Sequence, residues 1–388
     1  MNLIDKQRYK ILTMLIILTI IIVLYLEHKY ERTLFIMSIE ISKTFQQYDL
    51  VKLNKIISHR LFYALFFYIP LHFFFKKTTP KTFLNVFQFY ASVYLYSLFK
   101  LLIRGSRPSL EDEGLIEGKY FCEPDYGSPS GHMMVGTTIL LIISMDIGES
   151  CKKIHKLILN LLLSVLLVIF GLSRVYYGVH SIDQLFLGIC FALFIYFFFK
   201  AYEDELVNAF ISPLLFKNNN KNSLFTYVKA ILIANTLLLS VWFYAYQREN
   251  SKGYYDFINN CQMALNHVPK FSTKLLRDGL MVNFIFGLVI GLYLNTTNLY
   301  LALNFYYDKS IAKCLLRIFI NLSFFGLSLM TRYPKIDNVL LIIMRNLLIV
   351  PVCGFLSGKY LFRLFDLLGV SYQKEEKKEL SKKEHKRV

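Results

Sequence analysis

The sequence predicts an all-α, polytopic membrane protein with about ten transmembrane helices. Three observations predict it. Hydrophobic residues make up 55% of the 388 and charged residues only 18%, where a soluble domain carries about a quarter charged. The apolar residues fall in long runs, and a membrane helix needs about 20 of them. The net charge of +17 sits mostly in short loops and in the tail Lys374–Arg387. That distribution follows the positive-inside rule and excludes a nucleic-acid-binding reading of the charge.

The runs place spans at 11–27, 58–76, 83–103, 131–147, 155–173, 183–201, 225–246, 279–296, 312–331 and 338–362. The first follows Lys6, Arg8 and Lys10, and Tyr25-Leu26-Glu27-His28 is a poor cleavage sequence, so it reads as an anchor. A cytosolic N-terminus puts Lys76, Lys77, Lys81, Lys152, Lys153, Lys156, Lys217, Lys221, Lys309 and Lys313 on the cytosolic side. The segment 28–57, with Leu34, Ile36, Ile39, Ile41 and Phe45 spaced along it, reads as an amphipathic helix in the interface. The resulting organisation is an anchor and interfacial segment at 1–57, a core at 58–201, a C-terminal four-helix region at 202–362 and a basic cytosolic tail at 363–388.

None of the six cysteines forms a Cys-x-x-Cys motif, which excludes the common zinc and thiol-redox patterns. Cys122 and Cys261 fall on one non-cytosolic side, and two readings stand: a disulfide if that side is oxidising, or two free thiols. The sequon at Asn295 falls on the cytosolic side or in the interface and is expected to be unmodified. Arg345, inside the last span, reads as a structural partner.

Three segments carry chemistry. In Lys100-Leu-Leu-Ile-Arg-Gly-Ser-Arg107-Pro108, Lys100, Arg104 and Arg107 are four and three apart, a spacing that on a helix shares one face before Pro108 ends it. In Gly127-Ser-Pro-Ser130-Gly131-His132, small residues let backbone N–H groups approach an anion. The following helix N-terminus adds donors and a favourable dipole. In Ser173-Arg174-Val-Tyr-Tyr-Gly-Val-His180, a planar guanidinium fork precedes an imidazole that can present a neutral nitrogen. A cationic stripe, a loop–helix junction or an interfacial histidine is ordinary by itself. Together, on one face of the membrane, they supply the charge neutralisation, nucleophile and proton donor that phosphoryl transfer needs.

The pattern Lys-x6-Arg-Pro, Pro-Ser-Gly-His, Ser-Arg-x5-His resembles the type 2 phosphatidic acid phosphatase superfamily. That superfamily includes lipid phosphate phosphatases, glucose-6-phosphatases and vanadium haloperoxidases. The motif core covers Lys100 to Gln184. The resemblance implies a six-helix phosphatase core over about 58–201, and roles residue by residue. His180 attacks phosphorus to form a phosphohistidine, and His132 protonates the leaving oxygen. Lys100, Arg107, Arg174, the Ser130 hydroxyl and the Gly131 N–H hold the phosphoryl oxygens. It implies no cofactor and no metal, and no acidic cluster that would hold a metal stands in this region.

One departure matters. The family usually has Asp four residues after the nucleophilic histidine. Here that place is Gln184, and the carboxylate is Asp183. Both lie near the His180 face of a helix, so Asp183 or Gln184 is open for the role of orienting the imidazole. Glucose-6-phosphatases also lack the Asp, and Cys122-Glu123 is similar to theirs. The expected partners are membrane lipids and a phosphorylated substrate. That substrate is first a lipid phosphate such as phosphatidate or a sphingoid-base phosphate, and second a sugar phosphate. A catalytically silent membrane subunit is the reading from another class. The default location is the endoplasmic reticulum, with the site on the lumenal face.

Overall fold

The computed structural model describes residues 3–62, 64–65, 68, 80–112, 115, 125–148, 151–211, 221–249, 271–293 and 339–367. The architecture is helical, with no strand among the described residues. The long helices are α1 (Leu3–Gln46), α2 (Pro80–Ile103), α3 (Gly131–Gly148), α4 (Lys153–Tyr176), α5 (Ile182–Ala201), α6 (Lys221–Arg248), α7 (Phe271–Gly279), α8 (Val282–Tyr293) and α9 (Val350–Leu367). A short helix, Val339–Met344, and one π-helical turn, Arg345–Ile349, run into α9.

Seven helical stretches among the described residues are long and apolar enough to cross a membrane. They coincide with seven of the ten expected spans. The expected span 279–296 is represented by α8, whereas 58–76 falls largely and 312–331 wholly outside the described residues. Helix α4 shows why the chain needs lipid. Leu157, Leu161, Leu162, Val165 and Val168 are exposed along it, and burial is confined to Phe170–Tyr176. An apolar surface of that length with its backbone satisfied internally is stable in a bilayer and not in water. The chain is an integral membrane protein.

Helix α1 continues past its membrane stretch through a kink at Tyr30 (φ −116°, ψ 16°). The helix expected within 28–57 is therefore present to Gln46 as a continuation of the anchor. Its far end reaches the last turn of α4. There Ser42 donates to the Val175 carbonyl at 2.6 Å and Gln46 to the Tyr176 carbonyl at 2.6 Å. At the opposite end of the bundle, Lys6 pairs with Glu205 at 2.5 Å and Lys200 with Glu203 at 2.9 Å.

The C-terminal helices lean on the core through α2. The Tyr94 hydroxyl donates to the Ala234 carbonyl of α6 at 2.8 Å, and the Tyr96 hydroxyl donates to Asp278 of α7 at 2.9 Å. Helices α8 and α9 cross in backbone contact. A Cβ on Gly287 would stand 1.9 Å from the Pro351 carbonyl, and one on Gly354 would stand 2.1 Å from that of Phe284. Only glycine permits that approach. Arg345 is buried at the π turn leading into this pair.

Candidate active site

Helix α2 ends at Ile103, three residues after its last basic side chain, Lys100. Arg104 takes the left-handed conformation (φ 53°), and Gly105 then passes so close to Ser128 that a Cβ would stand 2.6 Å from it. The Gly127 N–H donates to the Gly105 carbonyl at 2.7 Å, tying the first motif to the second. Arg107 is extended (φ −105°, ψ 143°), and Pro108 opens a short helix, Pro108–Glu111. The expected single helical face for Lys100, Arg104 and Arg107 is therefore corrected. A left-handed residue breaks the helix between them, and Pro108 begins a helix instead of ending one. The turn separates the side chains. Arg104 lies over the Tyr244 ring of α6, 5.8 Å from its centroid, while Lys100 and Arg107 converge on Asp125.

Lys100 and Arg107 are 2% and 1% exposed. Cations buried so deeply are strongly destabilising without counter-charge. The Asp125 carboxylate supplies it. Lys100 Nζ donates to Asp125 Oδ1 at 2.9 Å and to the Tyr126 carbonyl, and Arg107 Nη2 also donates to Oδ1. Arg107 is further held by its Nε on the Asp125 carbonyl and its Nη1 on the Val179 carbonyl, both at 2.9 Å. The other Asp125 oxygen accepts from Lys274 of α7 at 2.7 Å. Burial, and after it the Glu249 carboxylate, pushes the neighbouring Tyr126 phenol well above its ordinary value, so it stays neutral.

The third motif follows from how α4 stops. Val179 N donates to the Arg174 carbonyl at 3.2 Å and Gly178 N to the Val175 carbonyl at 2.9 Å, with Gly178 at φ +70°. This is a Schellman cap, which needs a left-handed residue at the glycine position. The Gly178 carbonyl accepts from Ser109 N at 3.0 Å, and Leu115 fills the space beside Gly178. The cap reverses the chain within four residues and sets His180, 1% exposed, at the start of α5. Arg174 is 1% exposed at the end of α4.

Gln184 joins all three segments. Its Nε2 donates to the Ser106 carbonyl at 2.7 Å, which fixes the orientation of the amide. Its Oε1 then accepts from Ser181 N at 3.3 Å, in capping-box fashion, and stands 3.3 Å from His180 Nδ1. Its carbonyl accepts from Ser130 N at 3.0 Å. In the neutral ring, an amide oxygen facing Nδ1 requires the proton there and leaves the lone pair on Nε2. Of the two residues open for orienting His180, Gln184 is the one in contact. Asp183 makes no hydrogen bond to the ring, and among the described residues its buried Oδ1 has no hydrogen-bond partner.

Ser130 is fully buried, and its hydroxyl accepts from Met133 N at 3.4 Å in the first turn of α3. A Cβ on Gly131 would meet the Tyr96 ring at 3.2 Å. His132 is partly exposed, its ring centroid 4.3 Å from that of Phe62. Among the described residues no cluster of three His, Cys, Asp or Glu could hold a metal. Cys122, Cys261, Glu123, Asn295 and the tail from residue 368 onward lie outside the described residues.

Sequence reasoning missed Asp125 and Lys274. Asp125 offered a weak signal, since an acid between two cationic motifs can counter-charge buried basic groups. Lys274 offered none. It lies 94 residues beyond the last motif, in a segment with no pattern of its own.

Residues 81–207 match the family model described as the PAP2 superfamily. A curated relative, phosphatidylglycerophosphatase B of Bacillus subtilis (strain 168), is 27% identical over 86 residues. The match takes in 22% of this chain and 42% of the relative, so the chain spans less than half of that relative's length. No solved structure matches the chain.

Proposed function

Starting from residues 81–207 as a PAP2 superfamily segment, we propose that this chain is a membrane phosphatase. It hydrolyses a phosphate monoester carried by a lipid, such as phosphatidate or a sphingoid-base phosphate. The observation that carries this reading is one residue's set of contacts. Gln184 touches His180, Ser181, Ser106 and Ser130, and so gathers the three motifs at one end of the bundle. The name of the relative, phosphatidylglycerophosphatase, supports a lipid-borne phosphate. So does a site at the ends of membrane helices, where a headgroup arrives without leaving the bilayer.

In this reading His180 Nε2, which carries the lone pair when Nδ1–H donates to Gln184 Oε1, attacks phosphorus. The P–O bond to the lipid breaks, and His132 gives the leaving oxygen its proton. Lys100, Arg107 and Arg174 offset the charge on the phosphoryl oxygens, with the Ser130 hydroxyl and the Gly131 N–H at the α3 N-terminus. Water, deprotonated by His132, then cleaves the phosphohistidine and releases phosphate. None of these steps uses a metal. The site faces the non-cytosolic side in this reading, Lys152, Lys153 and Lys156 lying at the end of α4 opposite Arg174, and the endoplasmic reticulum is the proposed membrane.

The test is phosphate release by the purified chain in detergent from phosphatidate, a sphingoid-base phosphate and glucose 6-phosphate. Release from the lipids is expected, with inhibition by vanadate, a mimic of five-coordinate phosphorus. A second reading, a sugar phosphatase similar to glucose-6-phosphatases, is favoured by the amide of Gln184, where most of the family has a carboxylate. Release from glucose 6-phosphate alone would select it. Release from none of the three would leave the silent-subunit reading.

A further inference from the structure

Helix α7 lies outside the matched segment, yet it delivers a charge to the site. Four contacts fix it there. Tyr96 holds Asp278 at 2.9 Å, one turn beyond Lys274. The Glu249 carboxylate accepts from Phe271 N at 2.7 Å and from the Ser272 hydroxyl, where a negative charge suits a helix N-terminus. Phe271 meets the Tyr126 ring edge-on, with centroids 5.6 Å apart. Tyr96 also lies against Gly131, so the residue that anchors α7 borders the start of α3.

Resting on the phosphatase reading, we propose that Lys274 is a positioning residue for the phosphate site and acts through Asp125. The Asp125 carboxylate performs two opposed tasks. It fixes Lys100 and Arg107 in place, and its own charge repels the phosphate those cations are there to bind. Lys274 resolves the conflict by taking one oxygen of Asp125 at 2.7 Å while Lys100 and Arg107 share the other. Three cations on one carboxylate leave the four side chains at +2, to which Arg174 adds a further positive charge at the site. Without Lys274 the same group stands at +1, and the full field of Asp125 falls on the site. The C-terminal region is thereby part of the phosphatase, contributing through α7 a charge that the matched segment lacks. Lys274 is 19% exposed, so its effect is partly screened and smaller than that of a fully buried partner.

The experiment is a double-mutant cycle on the full-length protein in detergent, with calorimetric titration of inorganic phosphate and steady-state kinetics on a hydrolysed lipid phosphate. Lys274→Met should weaken phosphate binding and raise KM about tenfold, with kcat changing less than about threefold. Lys274→Arg should restore most of the affinity. In the Asp125→Asn background the Lys274→Met effect should fall below about threefold, because the charge it masks is gone. Full affinity in Lys274→Met, or an equal loss in both backgrounds, overturns the proposal, the latter because packing alone predicts additivity. Wild-type protein that binds no phosphate would overturn both this inference and the phosphatase reading. Wild-type binding with an unaffected Lys274→Met variant would remove only this inference.

Discussion

Two regions of this molecule are held together by opposite means. Around the site, helix ends are joined by polar ties: Gln184 to three segments, Arg107 to the Val179 and Asp125 carbonyls, and Asp125 to Lys100 and Lys274. The α8–α9 pair is joined by the absence of side chains, with Gly287, Gly291 and Gly354 against opposing backbone. Buried polar ties cost desolvation and return geometry, since each bond fixes a donor or acceptor in direction. Glycine contacts return dispersion and close packing with little directional chemistry. The difference predicts what damage does. Substitutions in the first region should lower activity in a folded protein, and substitutions in the second should unfold it.

The largest expected effect is on His180. His180→Ala removes the proposed nucleophile and should lower phosphate release by about 10³-fold or more, while the melting temperature in detergent stays close to wild type. His132→Ala should stop turnover while leaving slow phosphorylation of the enzyme, seen as an acid-labile phosphate on the chain. Wild-type turnover by His180→Ala would end the phosphohistidine mechanism.

Next comes the glycine pair. Gly287→Leu would drive a side chain into the Pro351 carbonyl, and no rotamer relieves a clash that begins at Cβ. The expected cost is at least about 3 kcal/mol. It would be read as loss of monodisperse protein or a fall in melting temperature, with activity lost in proportion to folded protein. A folded, inactive Gly287→Leu would contradict the division between the two regions.

Most of the architecture was legible because a bilayer simplifies the code. Length and apolarity alone placed α3, α4, α5 and α6 to within a few residues. The site was legible where function fixes residue type at short spacing, as in Ser130-Gly131-His132 and Arg174-x5-His180. It was illegible where backbone conformation decides. The left-handed turn at Arg104 separates side chains whose spacing reads as one helical stripe. It was also illegible where a contact joins distant segments, as Lys274 joins Asp125 across 149 positions. The choice between Asp183 and Gln184 was open because helical spacing admits both. The Ser106 carbonyl, which only the amide N–H₂ can satisfy, favours Gln184.

Gln184 gives the third effect. Gln184→Ala removes the acceptor at His180 Nδ1 and the tie to Ser106, and kcat should fall about 10- to 100-fold with a smaller change in KM. Asp183→Asn, aimed at the residue away from the imidazole, should change kcat less than about threefold. The reverse ranking would move the orienting role to Asp183.

The smallest effect tests the boundary of the polar region. Lys43 of α1 pairs with Asp112 at 2.5 Å, close in sequence to Arg107, but the two side chains are 52% and 24% exposed. An exposed pair of this kind contributes under about 1 kcal/mol and is screened by salt. Lys43→Ala should therefore leave kcat and KM within about twofold and the melting temperature nearly unchanged. Ser42, one residue away, is fully buried on the Val175 carbonyl beside the Schellman cap. Ser42→Ala leaves that contact unmade and should lower the melting temperature measurably, by about 1 to 2 kcal/mol of stability. If Lys43→Ala proved the more damaging of the two, charge at the rim, and not the buried ties beneath it, would be what holds the His180 turn in place.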